Sequence, residues 1–325
     1  MSADRATVAL PGQRLDERRP PLSDRLGEPA FRALAALAGV LTVGALVWIA
    51  ETVVRQAQPA ISHFGLGFVG HVAWNPVKDD FGAGSFLYGT IVSSLIALVI
   101  ATPTAVAIAI YLTELAPRLL RRPVAILVEL LAGIPSVILG LWGILVLGPF
   151  LADHAEPFLN SFLGWIPIFA GTPSPYGLLN AALILTIMAL PIVTAVTREV
   201  LEATPSELKE AAYGLGATRW EMLRMTVLPS ARPGIVGAVM LGLGRALGEA
   251  IAVTQVIGNT TQIRASLFAP SGSLAAEIAS AYQSANPGLG ISSLLYLATI
   301  LLVIALLANV GARAIVRRVG SAGAS

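Results

Sequence analysis

The sequence predicts an all-α integral membrane protein with six transmembrane helices and both chain termini in the cytoplasm. Hydrophobic residues make up 55% of the 325-residue chain and charged residues only 12%, and the mean hydropathy is +0.77. Soluble domains usually contain about 25% charged residues. Six apolar stretches are each long enough to cross a bilayer, and the connections between them differ sharply in positive charge.

The six predicted spans cover residues 31–54, 86–110, 123–149, 178–197, 234–257 and 291–315. An even number of spans returns both termini to one side of the membrane. Of the 21 Lys and Arg residues, 17 lie in the N-terminal tail, the second and fourth connections and the C-terminus. Because positive residues are retained in the cytoplasm, these segments are predicted to be cytoplasmic.

The N-terminal segment and several breaker residues modify this pattern. Residues 1–30 combine charges with four prolines and have no apolar period, which predicts a flexible cytoplasmic tail ahead of a six-helix domain at 31–318. The tail's basic residues are expected to contact lipid, with no nucleic-acid role.

Prolines inside three spans are expected to kink them, and five glycines of the fifth span are expected to allow close helix contact. These residues are Pro103, Pro135, Pro191, Gly234, Gly237, Gly242, Gly244 and Gly248.

Two charged residues lie within the fifth predicted span. Arg245 is roughly 17 Å from the start of this span at 1.5 Å per residue, close to the bilayer centre, and Glu249 follows four residues later. A charged residue at that depth costs about 2.5 to 3.5 kcal/mol, so such groups usually face a protein interior or a water-filled path. The pair is therefore predicted to handle a polar or ionic substrate, or else to form a structural ion pair.

The fourth connection contains a short predicted helix. Leu208, Ala211, Ala212 and Leu215 recur at helical spacing, so a helix from about Ser206 presents a small apolar stripe that Gly214 and Gly216 end. Such a helix can dock into a groove of a partner. It can equally rest on the membrane surface or on its own bundle.

This connection resembles the EAA loop of the permeases of type I ABC importers. The resemblance rests on Glu210, Ala211, Ala212, Gly216, Leu228 and Pro229, although Thr226 stands where an aliphatic residue is common. In that family the loop, here about 204–232, is a cytoplasmic helix that fits into a cleft of the ATPase subunit. The resemblance implies a MetI-like permease fold for a transmembrane core at about 86–311.

Two further segments are similar to the PstC-type permeases of bacterial phosphate importers. They are Glu129–Gly140, which reads ELLAGIPSVILG, and Gly244–Val253, which reads GRALGEAIAV and is followed by Ile257-Gly258-Asn259. The resemblance implies half of a heterodimeric phosphate channel in the bacterial cell membrane, with no enzyme activity of its own. It also implies three partners: a dimer of ATPase subunits, a second homologous permease and an extracytoplasmic phosphate-binding protein.

ATP must be bound by a partner, and no cofactor is expected in this chain. A P-loop requires Gly-x-x-x-x-Gly-Lys-Ser/Thr, but Lys78 precedes an aspartate and Lys209 precedes a glutamate. These are the only lysines. The absence of cysteine and the three scattered histidines also argue against a metal site.

Phosphate chemistry assigns roles to the buried charges. The guanidinium of Arg245 can bind two phosphate oxygens, and Glu249 can neutralise it while the site is empty. Glu129, placed in the third predicted span, can accept a hydrogen bond from a protonated phosphate oxygen or from an arginine of the partner permease, or it can be purely structural. The loops at 151–177 and 258–290 are candidate surfaces for the binding protein, the second with a short helix from Ser273 to Ala281.

Three alternatives remain at the level of sequence. A permease for sulfate or molybdate would share the EAA loop. A secondary transporter or channel would work without ATP, and a membrane scaffold would transport nothing.

Overall fold

The computed structural model describes residues 22–321, with side chains for residues 31–317. The predicted tail lies largely outside the described residues, and the first helix already begins at Leu22. The chain forms two compact units, Met1–Glu51 and Thr52–Ser325. Every element after the first helix belongs to the second unit.

Helices account for most of the described chain. The α-helices are α1 (Leu22–Phe64), α2 (Gly67–Gly70), α3 (Gly84–Ile110), α4 (Arg118–Ala132), α5 (Ser136–Trp142), α6 (Gly148–Phe150), α7 (Glu156–Leu163), α8 (Leu178–Glu202), α9 (Ser206–Gly214), α10 (Arg219–Met222), α11 (Leu228–Gly248), α12 (Ile251–Val256), α13 (Leu274–Ala281) and α14 (Leu289–Ser321). A two-stranded antiparallel sheet pairs β1 (Trp74–Asn75) with β2 (Asp80–Phe81). π-Helical turns occupy Tyr111–Leu115, Gly143–Leu147, Leu151–Ala155 and Leu223–Val227, and 3₁₀ turns occupy Pro167–Phe169 and Tyr282–Ser284.

Six helical stretches within residues 22–321 are long and apolar enough to cross a membrane, which confirms the predicted number. The π-helical turns join neighbouring α-helices into single spans, as in the third and fifth. The spans are Phe31–Phe64, Gly84–Leu115, Ser136–Leu163, Leu178–Glu202, Arg219–Gly248 and Leu289–Arg317.

The third span differs from its predicted position at 123–149. The helix is interrupted here: α4 ends at Ala132, α5 begins at Ser136, and Pro135 immediately precedes α5. Proline lacks the N–H that would continue α4, and its fixed φ suits the start of the next helix. Residues 118–132 therefore form a separate amphipathic helix, and the membrane span runs on to Leu163, through residues expected to lie in an outer loop.

The fifth span is shifted in the opposite direction. It begins at Arg219 and ends at Gly248, whereas the sequence predicted 234–257. Glu249 is extended, with φ −74° and ψ 116°, and a new helix begins at Ile251. In contrast, α3 and α8 continue as single α-helices through Pro103 and Pro191.

The fourth span is the centre of the second unit. In its most apolar window, 67% of the residues are buried, against at most 33% in the other spans. α8 packs on α3, α11 and α4. The fully buried stripe Ala97, Ala101, Ala105 and Ala109 lets the backbone of α3 approach closely.

Only some of the expected glycine contacts occur. A Cβ atom at Gly234 would lie 2.5 Å from Val200, and one at Gly242 would lie 2.7 Å from Val193. Nothing lies within 4 Å of the corresponding position at Gly237, Gly244 or Gly248. The predicted close contact is therefore present for two of the five glycines.

The segment between α12 and α14 packs into the bundle. Ser273 caps α13, which confirms the short helix predicted there. At Gly89 of α3 the backbone comes so close that a Cβ atom would lie 2.0 Å from the carbonyl oxygen of Gly272. Thr90 Oγ1, itself buried, accepts a hydrogen bond of 2.8 Å from the amide of Leu274. These contacts fix the segment against the second span.

Candidate translocation and coupling sites

Arg245 and Glu249 face each other across a break between two helices. Arg245 lies in the last turn of α11, and Glu249 is the extended residue that ends this helix, two positions before α12 begins at Ile251. Their closest atoms, Nη2 and Oε2, are 3.9 Å apart. The other carboxylate oxygen, Oε1, accepts a hydrogen bond of 3.3 Å from the amide of Ala252. The expected pair therefore exists, but as a long contact rather than a close bidentate one.

The two partners differ in exposure. The Arg245 side chain is 41% exposed and that of Glu249 is 9% exposed. The carboxylate is held by the start of α12, where backbone N–H groups favour a negative charge, while the guanidinium keeps free donors. An anion can therefore approach Arg245 without first displacing Glu249.

Arg245 also lines a small cavity of about 70 Å³. The other walls come from the end of α4, from the segment that joins it to α5, and from Met188 and Ile192 of α8. The sequence predicted that Glu129 would share this intramembrane site. The structure places Glu129 in the adjoining cavity instead.

The predicted position of Glu129 inside the third span is wrong. Glu129 lies on α4, outside the span that begins at Ser136, and its side chain is exposed. It lines a cavity of about 240 Å³ between α4 and α8, together with Thr194 and Arg198. Hydropathy assigned α4 to the membrane span because its many apolar residues raise the average. These apolar residues and the charged residues occupy opposite faces of one amphipathic helix.

The predicted helix of the fourth connection is confirmed as α9. It ends at Gly214, and Gly216 follows with a φ of +84°, a conformation that favours glycine. Leu208, Ala211 and Ala212 of α9 line an open groove of about 510 Å³, which is closed on the other side by residues of α10 and the π-helical turn after it. Within the described chain Leu208 and Leu215 are exposed, Leu215 to 90%, whereas Ala212 is partly buried against the bundle.

The remaining motif residues occupy two different environments. Glu210 is exposed on α9, where it can meet a partner. Leu228 and Pro229 are half-buried at the start of α11, inside the continuous helix Arg219–Gly248 rather than in a loop. Pro229 cannot donate a backbone hydrogen bond to the helix that precedes it, and the irregular π-helical turn Leu223–Val227 lies directly before it.

A cluster of cations lies around the end of the second span and was not among the predicted site residues. Lys209 Nζ of α9 lies 2.5 Å from Glu114 Oε1, with side-chain exposures of 22% and 11%. Arg219 of α10 donates to the carbonyl oxygen of Glu114. Arg121 of α4 donates to the carbonyl oxygen of Thr113 at 2.6 Å. Three elements are thus tied to one helix end, where unpaired carbonyls attract cations.

The geometry indicates a transport protein that depends on a partner for energy. Among the described residues, no group of three or more His, Cys, Asp or Glu side chains is placed to hold a metal ion. The bundle instead offers an arginine at a helix break in the last turn of the fifth span, not near the bilayer centre as predicted, because this span ends at Gly248. It also offers an open groove along α9 at the end of the bundle. These features define the class of membrane permease subunits.

Residues 101–321 match the family described as "Binding-protein-dependent transport system inner membrane component". The chain is also similar to the phosphate transport system permease protein PstC of Mesorhizobium japonicum, with 47% identity over 306 residues that cover 93% of this chain and 92% of the relative. The chain belongs to this family of inner membrane permeases, in its PstC branch. It is a multi-pass inner membrane protein and a transport subunit rather than an enzyme.

Solved transporters share the fold. A subunit of a bacterial alginate ABC transporter superposes with a TM-score of 0.57 at 19% identity, covering 90% of this chain and 98% of its own. A subunit of the MetNI methionine ABC transporter superposes with a TM-score of 0.51 at 25% identity, covering 73% and 94%. As a component of a binding-protein-dependent system, the chain works with an ATPase and a periplasmic binding protein.

Proposed function

We propose that this chain is one half of the transmembrane channel of an ATP-driven phosphate importer. The observation that carries the proposal is the 47% identity with a phosphate permease across 92% of that relative. Arg245 supports it independently, since a partly exposed guanidinium at a helix break suits an oxyanion. The chain would pair with a second homologous permease on a dimer of ATPase subunits and receive phosphate from an extracytoplasmic binding protein.

The proposed arrangement in the membrane is the MetI-like type I fold with both termini in the cytoplasm. Its support is the distribution of Lys and Arg, of which 17 of 21 fall on one predicted side. α4, α9 and α10 meet at the end of α3 on that side. The groove along α9 then faces the cytoplasm, where an ATPase must dock.

The proposed site residues divide into two groups. Arg245 binds the anion, Glu249 compensates its charge between transport cycles, and Glu129 contacts the substrate nearer the cytoplasm. Glu210, Ala211, Ala212 and Gly216 form the surface that docks on the ATPase. Leu228 and Pro229 anchor this surface to the fifth span.

The test is uptake of radiolabelled phosphate by proteoliposomes that contain the four-part complex. Uptake should require ATP on the ATPase side and the binding protein on the other side. Excess unlabelled phosphate should suppress it, whereas sulfate and molybdate should not. If sulfate or molybdate competes efficiently, the substrate is that oxyanion rather than phosphate. Uptake that persists without ATP would contradict an ATP-driven importer.

A further inference from the structure

The cavities beside α8 form a series that leads from Arg245 to the end of the bundle. The small cavity at Arg245 is bounded by Met188 and Ile192 of α8, the middle cavity by Thr194 and Arg198. A third cavity of about 440 Å³, the outer cleft, begins at Arg198 and extends along α4. The middle cavity and the outer cleft share Glu129 and Arg198 as lining residues, and Ile192 and Thr194 are two positions apart on α8, so the three cavities follow one another along this helix.

The outer cleft is unusually rich in arginine. Arg118, Arg121 and Arg122 of α4 and Arg198 of α8 line it, with Glu129 as its one carboxylate. On α4 these residues share a face, because positions 121, 122, 125 and 129 follow Arg118 by three, four, seven and eleven residues. Retention of positive charge in the cytoplasm accounts for the number of arginines. It does not require that they converge on one cleft.

Two of the four arginines have no hydrogen-bond or ion-pair partner among the described residues. Arg121 donates to the Thr113 carbonyl and Arg198 pairs with Glu202 at 2.9 Å. Arg118 and Arg122 make no hydrogen bond or ion pair with any residue that the structure describes. Their guanidinium groups are therefore available to an anion.

The charged residues that line the middle cavity are mainly carboxylates, in contrast to the arginine-rich outer cleft. Glu129 and Glu199 line it along with the paired Arg198 and Glu202. Thr194, a residue that is 1% exposed, also lines this cavity, and its hydroxyl has no hydrogen-bond partner in the described chain. Carboxylates repel a fully ionised oxyanion but accept hydrogen bonds from a protonated one. Phosphate near neutrality retains at least one proton, whereas sulfate retains none.

We propose that the outer cleft is a second oxyanion site, at which phosphate released from Arg245 is held by Arg118 and Arg122 before it enters the cytoplasm. Glu129 accepts a hydrogen bond from the protonated oxygen and so favours phosphate over sulfate. The inference rests on the proposed function for its substrate, but the site itself does not depend on uptake.

The chain has no cysteine, which permits a direct test by protection. Ile126 lines the outer cleft and is 45% exposed, so Ile126→Cys introduces a single reporter thiol in this chain. The complete complex is placed in phosphatidylcholine nanodiscs and treated with uncharged N-ethylmaleimide, and labelling is read on this chain alone. Inorganic phosphate should slow the labelling, and sulfate should do so only at higher concentration.

The paired substitution Arg118→Gln, Arg122→Gln should raise the phosphate concentration needed for half-protection on the order of tenfold. Arg313→Gln, which removes an exposed arginine from α14, is the matched control and should leave protection unchanged. Size-exclusion chromatography shows whether each variant assembles into the complex. If the double variant fails to assemble, the single variant Arg122→Gln is measured in its place. Protection that is absent, or equal in the cleft variant and the control, overturns the site.

Two further experiments test the role of Glu129 and the source of the bound anion separately. Glu129→Gln should bring the half-protecting concentrations of sulfate and phosphate together, and an unchanged preference overturns the role of Glu129. Nanodiscs that contain phosphatidylglycerol test the lipid source. If they protect the thiol without phosphate and phosphate adds nothing, the cleft binds a lipid headgroup and the exit site is overturned. Stronger protection by sulfate than by phosphate would keep the anion site and overturn the proposed substrate.

Discussion

At the scale of single residues, the long contact between Arg245 and Glu249 determines what each side chain can do. At 3.9 Å, their charges attract but leave the guanidinium donors unfilled. A close bidentate pair would instead compete directly with an incoming anion. The break at Glu249 creates this separation, because it moves the carboxylate out of the regular helix and onto the start of α12.

Arg245→Gln should reduce phosphate uptake by at least about a hundredfold, since glutamine supplies neither the charge nor the paired donors. Arg245→Lys should also be strongly impaired, because an ammonium is a point charge. Uptake in proteoliposomes gives the activity, and size-exclusion chromatography gives assembly. A glutamine variant that fails to assemble would instead identify a structural ion pair.

Glu249→Gln should slow uptake by a different route. Removal of the carboxylate leaves Arg245 uncompensated, so phosphate should bind the channel more tightly and leave more slowly. Single-turnover measurements should show faster loading and slower release than in the unchanged complex. Weaker phosphate binding in this variant would mean that Glu249 contacts the substrate directly.

At the scale of elements, the turn after α9 depends on one backbone conformation. Gly216 has a φ of +84°, and nothing lies within 4 Å of the position that a Cβ atom would take, so a Cβ atom there causes backbone strain without contact to a neighbouring atom. Gly214 also has open space and lacks a positive φ. The two glycines therefore separate the effect of strain from the effect of size.

Gly216→Val should distort the surface that docks on the ATPase and uncouple ATP hydrolysis from uptake. The strain is on the order of 1–3 kcal/mol. Gly214→Ala should preserve coupling. The measurement is the ratio of ATP hydrolysed to phosphate imported in proteoliposomes, and an unchanged ratio in the valine variant would remove the turn from the coupling mechanism.

The pair Glu114 and Lys209 connects α9 to the second span, and we expect it to transmit movement between them. Glu114→Gln leaves the half-buried Lys209 ammonium without its partner and should cost about 1–3 kcal/mol. Coupling should fall while binding of the ATPase persists. The charge exchange Glu114→Lys with Lys209→Glu should restore part of the coupling, and no restoration would leave the pair with a purely local role.

At the scale of the whole molecule, close packing of the second span against the segment before α13 limits which small residues can be changed. Gly89→Ala places a methyl group 2.0 Å from the Gly272 carbonyl oxygen, so backbone must move at a cost of roughly 1–3 kcal/mol. Gly237→Ala enters open space and should be neutral. Thermal unfolding of the detergent-solubilised chain should separate the two, and equal midpoints would contradict the close approach of Gly89 to Gly272.

Much of the site was predictable because local chemistry determines it. Charges within an apolar stretch revealed Arg245 and Glu249, and the period of small apolar residues predicted α9. Glu114 was missed because its partners lie 95 and 105 positions away in the sequence. A signal did exist, in the form of one carboxylate at the end of a long apolar span.

The sequence by itself determined the number of spans, the charge asymmetry and the need for an external ATPase, because hydropathy, charge and the absence of a P-loop are local properties. Tertiary structure alone decided where two of the spans begin and end. Hydropathy adds the apolar face of α4 to the following span, although Pro135 separates them. Only the packing of α4 on α8 adds Arg198 to the face of α4 that carries Glu129 and three arginines, since the relative positions of distant residues depend on the folded backbone.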